Sequence, residues 1–277
     1  MDEGKSYDDK SYEERGDEYF QQALSLNDRH CNDKCDLYTK ATKQYLLSVD
    51  HKSKVKACDC YELIAKLYID NGRNYEAAWN YREAGDMYST CDLSQSKRCY
   101  LIAIDLYLVN KKYNDIAKLY SLMAAITLKE KENDINSTIS YYEKTYEYYE
   151  LANSKSTALL YLVKAAYLLI QKEEYNKAIS YLEKSNEYYT SQNSTKFKSK
   201  SVNFGITIVK MCNNILQYNI MNNTDYHDVE YCFLLELDNS IKAKDRNMYD
   251  DILIKFKSVR VLDPWMEKIF QTIRNLI

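Results

Sequence analysis

The 277-residue sequence predicts an all-α fold of stacked helix pairs, and three observations carry that reading. A tyrosine recurs at nearly even spacing, at Tyr38, Tyr61, Tyr81, Tyr100, Tyr120, Tyr142 and Tyr161, with Leu182 in the eighth slot. The intervals are 23, 20, 19, 20, 22, 19 and 21 residues, so alternate members lie about 40 apart. Around each slot the pattern small-x3-Tyr-x2-small/apolar-x3-aromatic/apolar tends to return. Ala57, Tyr61, Ile64, Tyr68 form one instance; Ala77, Tyr81, Ala84, Tyr88 and Ser96, Tyr100, Ala103, Tyr107 form two more. Such steps place all four residues on one face of a 3.6-period helix. Finally, one proline and five glycines leave too few turn residues for hairpin-rich sheets or long loops. An internal period of this length marks helix pairs that bury their apolar stripes against their neighbours.

Taken in order, the first helix is expected from about Tyr7 to Leu26, and Asn27–Asp33 reads as a loop. Helices on the tyrosine slots follow to about Tyr189. They are punctuated by Asn71-Gly72-Arg73-Asn74, Asp92-Leu93-Ser94, Asn110 and Asn153-Ser154. Asp92 and Ser94 have side-chain oxygens suited to cap the next helix. The run Thr190–Lys200 (TSQNSTKFKSK) is polar, basic and aperiodic, and reads as a loop before a change of packing. Two apolar helices are expected near Val202–Asn219 and His227–Lys242, then a pair at Arg246–Lys257 and Pro264–Ile277. Asp263 is placed as N-cap and Pro264 at the first helical position, where its missing N–H costs nothing. The expected architecture is therefore a right-handed, tetratricopeptide-like helix-pair solenoid over residues 1–189, capped by a C-terminal helical bundle over 190–277.

Composition narrows the function. A hydrophobic content of 45% with 29% charged residues fits a folded, soluble chain. The net charge of −3 supplies no global basic field for nucleic acid. The start MDEGKSYDDK has no apolar signal region, and no run reaches the ~18 apolar residues of a membrane span, so a cytoplasmic location is expected. The N-x-S/T triplets at Asn136, Asn193 and Asn222 are then chance matches. Eight cysteines read as small, reduced hydrophobes. A metal site from His30, Cys31, Cys35, Cys58 and Cys60 lacks any C-x2-C pair and is disfavoured. Dispersed glycines form no phosphate-cradling loop, and no H-E-x-x-H or G-x-S-x-G occurs. His30, His51 and His227 have no nucleophile beside them in sequence, and the carboxylate pairs sit in solvent-type surroundings. The reading is a binding protein, not an enzyme, with no cofactor.

Several segments together carry a family likeness. YEAAWNYREAGDMY (75–88), CYLIAIDLY (99–107), STISYYEKTYEYY (137–149), EYNKAISYLEK (174–184) and VLDPWMEKIFQTIR (261–274) resemble the soluble NSF attachment proteins, closer to the α/β type than the γ type. The ordered match, about a 40-residue period and the terminal Leu262-Asp263-x-Trp265 make the likeness specific. It implies a cytosolic adaptor, peripherally associated with membranes, that coats the SNARE four-helix bundle and recruits the AAA+ ATPase hexamer NSF. The resemblance puts SNARE-facing basic positions on Lys52, Lys112, Lys118 and Lys164, while further basic positions fall on Ser89, Thr90 and Leu160. Acidic NSF-facing positions fall on Glu236 and Asp238. Family members continue past the last helix into an acidic tail ending near a leucine; this sequence stops at Asn275-Leu276-Ile277, which implies either that the tail is lost or that the last helix itself engages NSF, with Leu276 as the substitute. The family's membrane-touching tip corresponds to Phe20, Leu24 and Leu26, which equally suit the core stripe of the first helix. The alternative is a generic tetratricopeptide-type peptide-binding scaffold, which usually has 34-residue units and a separable last helix.

Overall fold

A computed structural model describes residues 11–27, 30–48, 50–130, 134–213 and 226–277, the side chain of Asn193 apart. Among the described residues there are thirteen α-helices and no strand. The chain divides into two compact units, residues 1–130 and 131–277. The change of packing expected after Tyr189 falls inside the second unit.

The first unit holds α1 (Tyr12–Ser25), α2 (Cys31–Leu47), α3 (His51–Asp70), α4 (Asn74–Tyr88), α5 (Leu93–Val109) and α6 (Tyr113–Lys129). Its principal packing is between consecutive helices, joined by short turns as antiparallel hairpins. Ser11 opens α1 with a capping box, its Oγ accepting from the Glu14 N–H at 3.2 Å while the Glu14 carboxylate accepts from the Ser11 N–H at 2.8 Å. Asp50 caps α3 and Asp92 caps α5 through side-chain oxygens. Tyr38, Tyr81, Tyr100 and Tyr120 are buried in the slots expected of them, whereas Tyr61 is half-buried.

Two joints in this unit share one construction. The ring of Tyr45 on α2 lies across Gly16 of α1, and the ring of Tyr100 on α5 lies across Gly85 of α4. In both, a Cβ on the glycine would stand 2.5 Å from a ring carbon. Only a residue without a side chain lets the ring approach so closely. Each tyrosine hydroxyl then donates to the aspartate that follows the glycine, Tyr45 to Asp17 at 2.7 Å and Tyr100 to Asp86 at 2.6 Å. A buried phenol needs such a partner.

The second unit holds α7 (Ile135–Leu151), α8 (Lys155–Gln171), α9 (Tyr175–Ser191), α10 (Lys196–Asn213), α11 (Asp228–Ala243), α12 (Arg246–Val259) and α13 (Pro264–Leu276). Consecutive helices pack from α7 to α10, and α11 packs on α12. α13 then returns to α8 and α10. Its Trp265 stacks on Tyr167 of α8 at 4.6 Å and 7° between ring planes. Met266, Ile269, Phe270 and Ile273 are buried beside it. Phe204, Phe233, Phe256 and Phe270 form one aromatic cluster, the closest pair being Phe233 and Phe256 at 3.9 Å. The Tyr249 hydroxyl donates to the Phe270 carbonyl at 2.7 Å, and Arg274 makes a bidentate pair with Asp250 at 2.6 and 2.7 Å.

Several element boundaries differ from the sequence expectation. The first helix starts at Tyr12, and the expected start at Tyr7 lies outside the described residues, as does the expected end of the tenth helix at Asn219. Asp33 belongs to α2 and not to a loop, because Cys35, Tyr38, Ala41 and Tyr45 impose a buried stripe that begins in its turn. Thr190–Lys200 is mostly helical: α9 runs to Ser191, a 3-10 turn covers Asn193–Thr195, and α10 begins at Lys196. Burial of Ser199 and Val202 recruits this polar run into the helix. Ser94 is not a cap, since Asp92 already occupies that position and accepts from the Gln95 N–H at 3.0 Å. Asp263 does precede α13, with Pro264 opening it. The capping there is by the Asp263 carbonyl, which accepts from Met266 and Glu267, and not by its side chain.

The helix-ending turns at Asn71-Gly72, Asn110-Lys111 and Asn153-Ser154 lie where expected. Left-handed backbone is adopted at Gly72, Lys111 and Asn153, and also at Glu173 and Lys244, for which the sequence offers no glycine. All eight cysteines are free, and burial pushes the Cys35, Cys60 and Cys99 thiols up to about 12, so these three stay protonated hydrophobes at neutral pH. No group of His, Cys, Asp and Glu among the described residues is arranged to hold a metal ion.

Candidate partner-binding surfaces

Lys52 lies in the first turn of α3, where the Asp50 carboxylate accepts from its backbone N–H at 2.8 Å. That hydrogen bond first, then one from the Ser53 side chain, holds the Asp50 carboxyl below its ordinary value. The Lys52 side chain is exposed and makes no ion pair among the described residues. Lys112 immediately precedes α6, its ammonium 5.1 Å from the centroid of the Tyr75 ring. Lys118 lies on the exposed face of α6, 3.7 Å from Asp115, a solvent-screened pair that leaves most of its charge available. Lys164 is exposed on α8 and sits 4.8 Å from the Tyr161 ring and 5.9 Å from Tyr142. The aromatic faces hold these ammonium groups in place without neutralising them.

The four lysines do not form one cluster. Lys52 opens α3 at the α2–α3 turn, whereas Lys112 stands at the α5–α6 turn, the opposite end of an antiparallel stack. Lys118 lies six residues further along α6, a rise of roughly 9 Å. Lys164 belongs to the second unit. Ser89 and Thr90 close α4, and Leu160 is exposed one turn before Lys164.

Glu236 is exposed on α11 and Asp238 is half-buried, paired with Lys242 at 2.6 Å. Two residues apart on a helix, they project to different sides. Leu276 in the last turn of α13 is 58% exposed. The ring contact between Phe233 and Phe270 at 5.5 Å ties α11 to α13, so the acidic residues and Leu276 ride on helices of one packed cluster.

Phe20, Leu24 and Leu26 part company. Phe20 packs edge-on against Tyr38 at 5.4 Å, within the α1–α3 core. Leu24 is 51% exposed, and Leu26 is half-buried at the C-cap of α1. No described helix is long and apolar enough to cross a membrane.

The Gly16-Asp17 and Gly85-Asp86 joints escape a reading of the glycines as phosphate-cradling loops, because their role is close approach of a ring. The available signal was the recurrence of Gly-Asp-x-Tyr, at 16–19 and 85–88. The two aspartates differ electrically. At Asp17 burial works to raise the carboxyl, but hydrogen bonds from Lys56 and Tyr45 and the Lys56 charge bring it below the ordinary range. Lys56 Nζ lies 2.8 Å from both Asp17 and Glu13. At Asp86, burial prevails over the Tyr100 hydrogen bond and the Arg82 charge, and the carboxyl titrates higher than usual.

Comparison with known proteins supplies the remaining observation. The family model described as "Soluble NSF attachment protein, SNAP" matches residues 9–277. An alpha-soluble NSF attachment protein of Vitis vinifera is 26% identical over 253 residues, covering 88% of this chain and 86% of the relative. The Mus musculus alpha-soluble NSF attachment protein is 22% identical over 250 residues, covering 88% and 83% respectively. A beta-soluble NSF attachment protein of Bos taurus is 28% identical over 132 residues, 48% of this chain and 43% of the relative.

Proposed function

The chain belongs to the soluble NSF attachment protein family, and from that premise we propose that it is the adaptor through which NSF engages assembled SNARE bundles for disassembly. The family match across residues 9–277 carries this reading. The protein contributes binding surface and no chemistry of its own; ATP hydrolysis belongs to NSF. Lys52, Lys112, Lys118 and Lys164 meet the acidic exterior of the bundle as dispersed charges, consistent with their exposure at separate places on the helices. Glu236, Asp238 and Leu276 face NSF. Work of this kind places the protein in the cytoplasm, held at membranes through its SNARE partners and serving vesicle fusion and intracellular protein transport.

Dispersed lysines on an acidic rod give an attraction that salt screens over a Debye length of ~8 Å at physiological ionic strength. The test is retention on an immobilised, preassembled SNARE bundle, followed by addition of NSF and ATP to the retained complex. Retention that weakens with salt, with bundle disassembly on ATP addition, is expected. Reversing Lys118 and Lys164 to Glu together lowers retention about tenfold while the helical circular dichroism is unchanged. Absence of retention at low ionic strength overturns the proposal, and unchanged retention of the double variant removes these two residues from the interface.

A further inference from the structure

The chain carries 41 acidic residues and a net charge of −3, yet none of its acids lies between Glu187 and Asp225. The charged residues in that interval are Lys196, Lys198, Lys200 and Lys210. Lys210 pairs with Glu183 at 2.6 Å, but the other three make no ion pair among the described residues. They occupy the start of α10, where positive charge opposes the helix dipole and so does not serve the helix. Between Lys196 and Lys198 stands Phe197, 72% exposed, the most exposed aromatic ring among the described residues. Its ring contact is His227 at 4.6 Å, two residues before Val229, which is itself 58% exposed.

The neighbouring surface is basic on balance. A cleft of about 250 Å³ between the start of α8 and the end of α9 is lined by Lys155, Lys184 and Tyr188, with Glu187 as the one acid in its lining. Lys155 lies 5.3 Å from the Tyr188 ring. From Ser191 at its edge the chain passes through the 3-10 turn directly into Lys196. Leu151, 58% exposed, ends α7 just before α8 begins.

We propose that the α9–α10 turn is a docking surface for anionic lipid bilayers, with Phe197 entering the headgroup region and Lys196, Lys198 and Lys155 meeting lipid phosphate and carboxylate groups. An acidic helical rod could satisfy the lysines, but it would leave the phenylalanine ring in water. A bilayer interface takes up both, because it pairs negative headgroups with an apolar layer beneath them. Lysine stems lie along that boundary with their ammonium groups outward. The surface lies in the second unit and is separate from the α1 residues that the family likeness puts at the membrane.

The experiment is co-sedimentation of the full chain with vesicles of phosphatidylcholine alone and of phosphatidylcholine mixed with phosphatidylserine, with no SNARE protein present. Its failure is thereby separable from failure of the adaptor reading. Binding that requires phosphatidylserine and weakens with salt is expected. Phe197→Ser weakens it about tenfold, and the Lys196→Glu, Lys198→Glu pair by roughly twentyfold or more. Ile254→Ser, at an exposed apolar residue of α12, leaves it unchanged. Phe197→Trp supplies a direct readout, with a blue-shifted emission quenched by brominated lipid. Lack of binding to the phosphatidylserine vesicles, equal binding to both vesicles, or undiminished binding by Phe197→Ser overturns the proposal. It is likewise overturned if the lysine reversals spare vesicle binding and instead abolish retention on a SNARE bundle, which would assign the surface to a protein partner.

Discussion

The two units build a core from opposite strategies. In the first, every principal contact joins a helix to its neighbour in sequence, and two of the joints, α1–α2 and α4–α5, set a tyrosine ring across a glycine with its hydroxyl on a carboxylate. In the second, the hairpin series is closed by a helix that returns from the chain's far end, so that α13 packs against α8 almost a hundred residues earlier. The first arrangement distributes stability over many similar local joints. The second concentrates it in one non-local contact, where Trp265 on Tyr167 and the phenylalanine cluster carry the load together. Loss of one joint should therefore be felt differently in the two units.

The largest expected effect is at Trp265. Replacing this buried ring with Ala removes its stacking and leaves a cavity, and costs about 3–5 kcal/mol. Native-state hydrogen exchange should show the loss in α8, α10 and α13, with α1–α6 keeping wild-type protection. Equal loss of protection in both units would dissolve the contrast. Next come Gly85→Ala and Gly16→Ala. A Cβ at either place meets a tyrosine ring that is itself buried and hydrogen-bonded. The overpacking costs about 1–3 kcal/mol, of which ~1 kcal/mol is offset by alanine's better helix propensity. Urea denaturation measures both; a gain in stability would mean that the ring yields without loss.

A smaller effect separates the two joints by charge. The Asp17 carboxyl is lowered in the folded protein, so its stabilisation is complete above the ordinary aspartate value of 3.8 and is lost as pH falls through the folded value. The Asp86 carboxyl is raised, so its contribution has the opposite sign, present in acid and lost as pH rises through the folded value. Asp17→Asn should accordingly be less stable than wild type at neutral pH, with the difference closing in acid. Asp86→Asn, which keeps a carbonyl oxygen for Tyr100, should be more stable at neutral pH, with that gain narrowing as acid protonates the native aspartate. Denaturation midpoints at both pH values test this, and two curves of the same slope would show the joints to be electrically alike. The smallest effect concerns turns common to both units. Lys111, Glu173 and Lys244 hold left-handed backbone without a glycine, and each replaced by Gly should gain about 0.5 kcal/mol. Thermal melts of the single variants suffice, and a loss would show that the side chains contribute there.

The α1 residues show how far a pattern reaches. Phe20, Leu24 and Leu26 carry one apolar signal in sequence, and only packing decides that Phe20 belongs to Tyr38 while Leu24 faces outward. The same holds for Thr190–Lys200. Its polarity reads as loop, but a polar run becomes helix once neighbouring helices bury one side of it, as they do at Ser199 and Val202. The Gly-Asp joints were written in the chain as a repeated tetrad, though their meaning required knowing which tyrosine crosses them.

By itself the sequence determined the helical class, the tyrosine slots, the capping aspartate at Asp92 and the family to which the chain belongs. These depend on local geometry, on a period of side chains along one helix face and on single residues at helix ends, all of which operate within a few turns of chain. Tertiary structure alone decided that α13 closes on α8 and α10, that Tyr45 and Tyr100 cross the glycines, and that Lys52 and Lys112 stand at opposite ends of their unit. Those outcomes depend on which surfaces meet across many residues, and burial there is a property of the neighbour as much as of the residue buried.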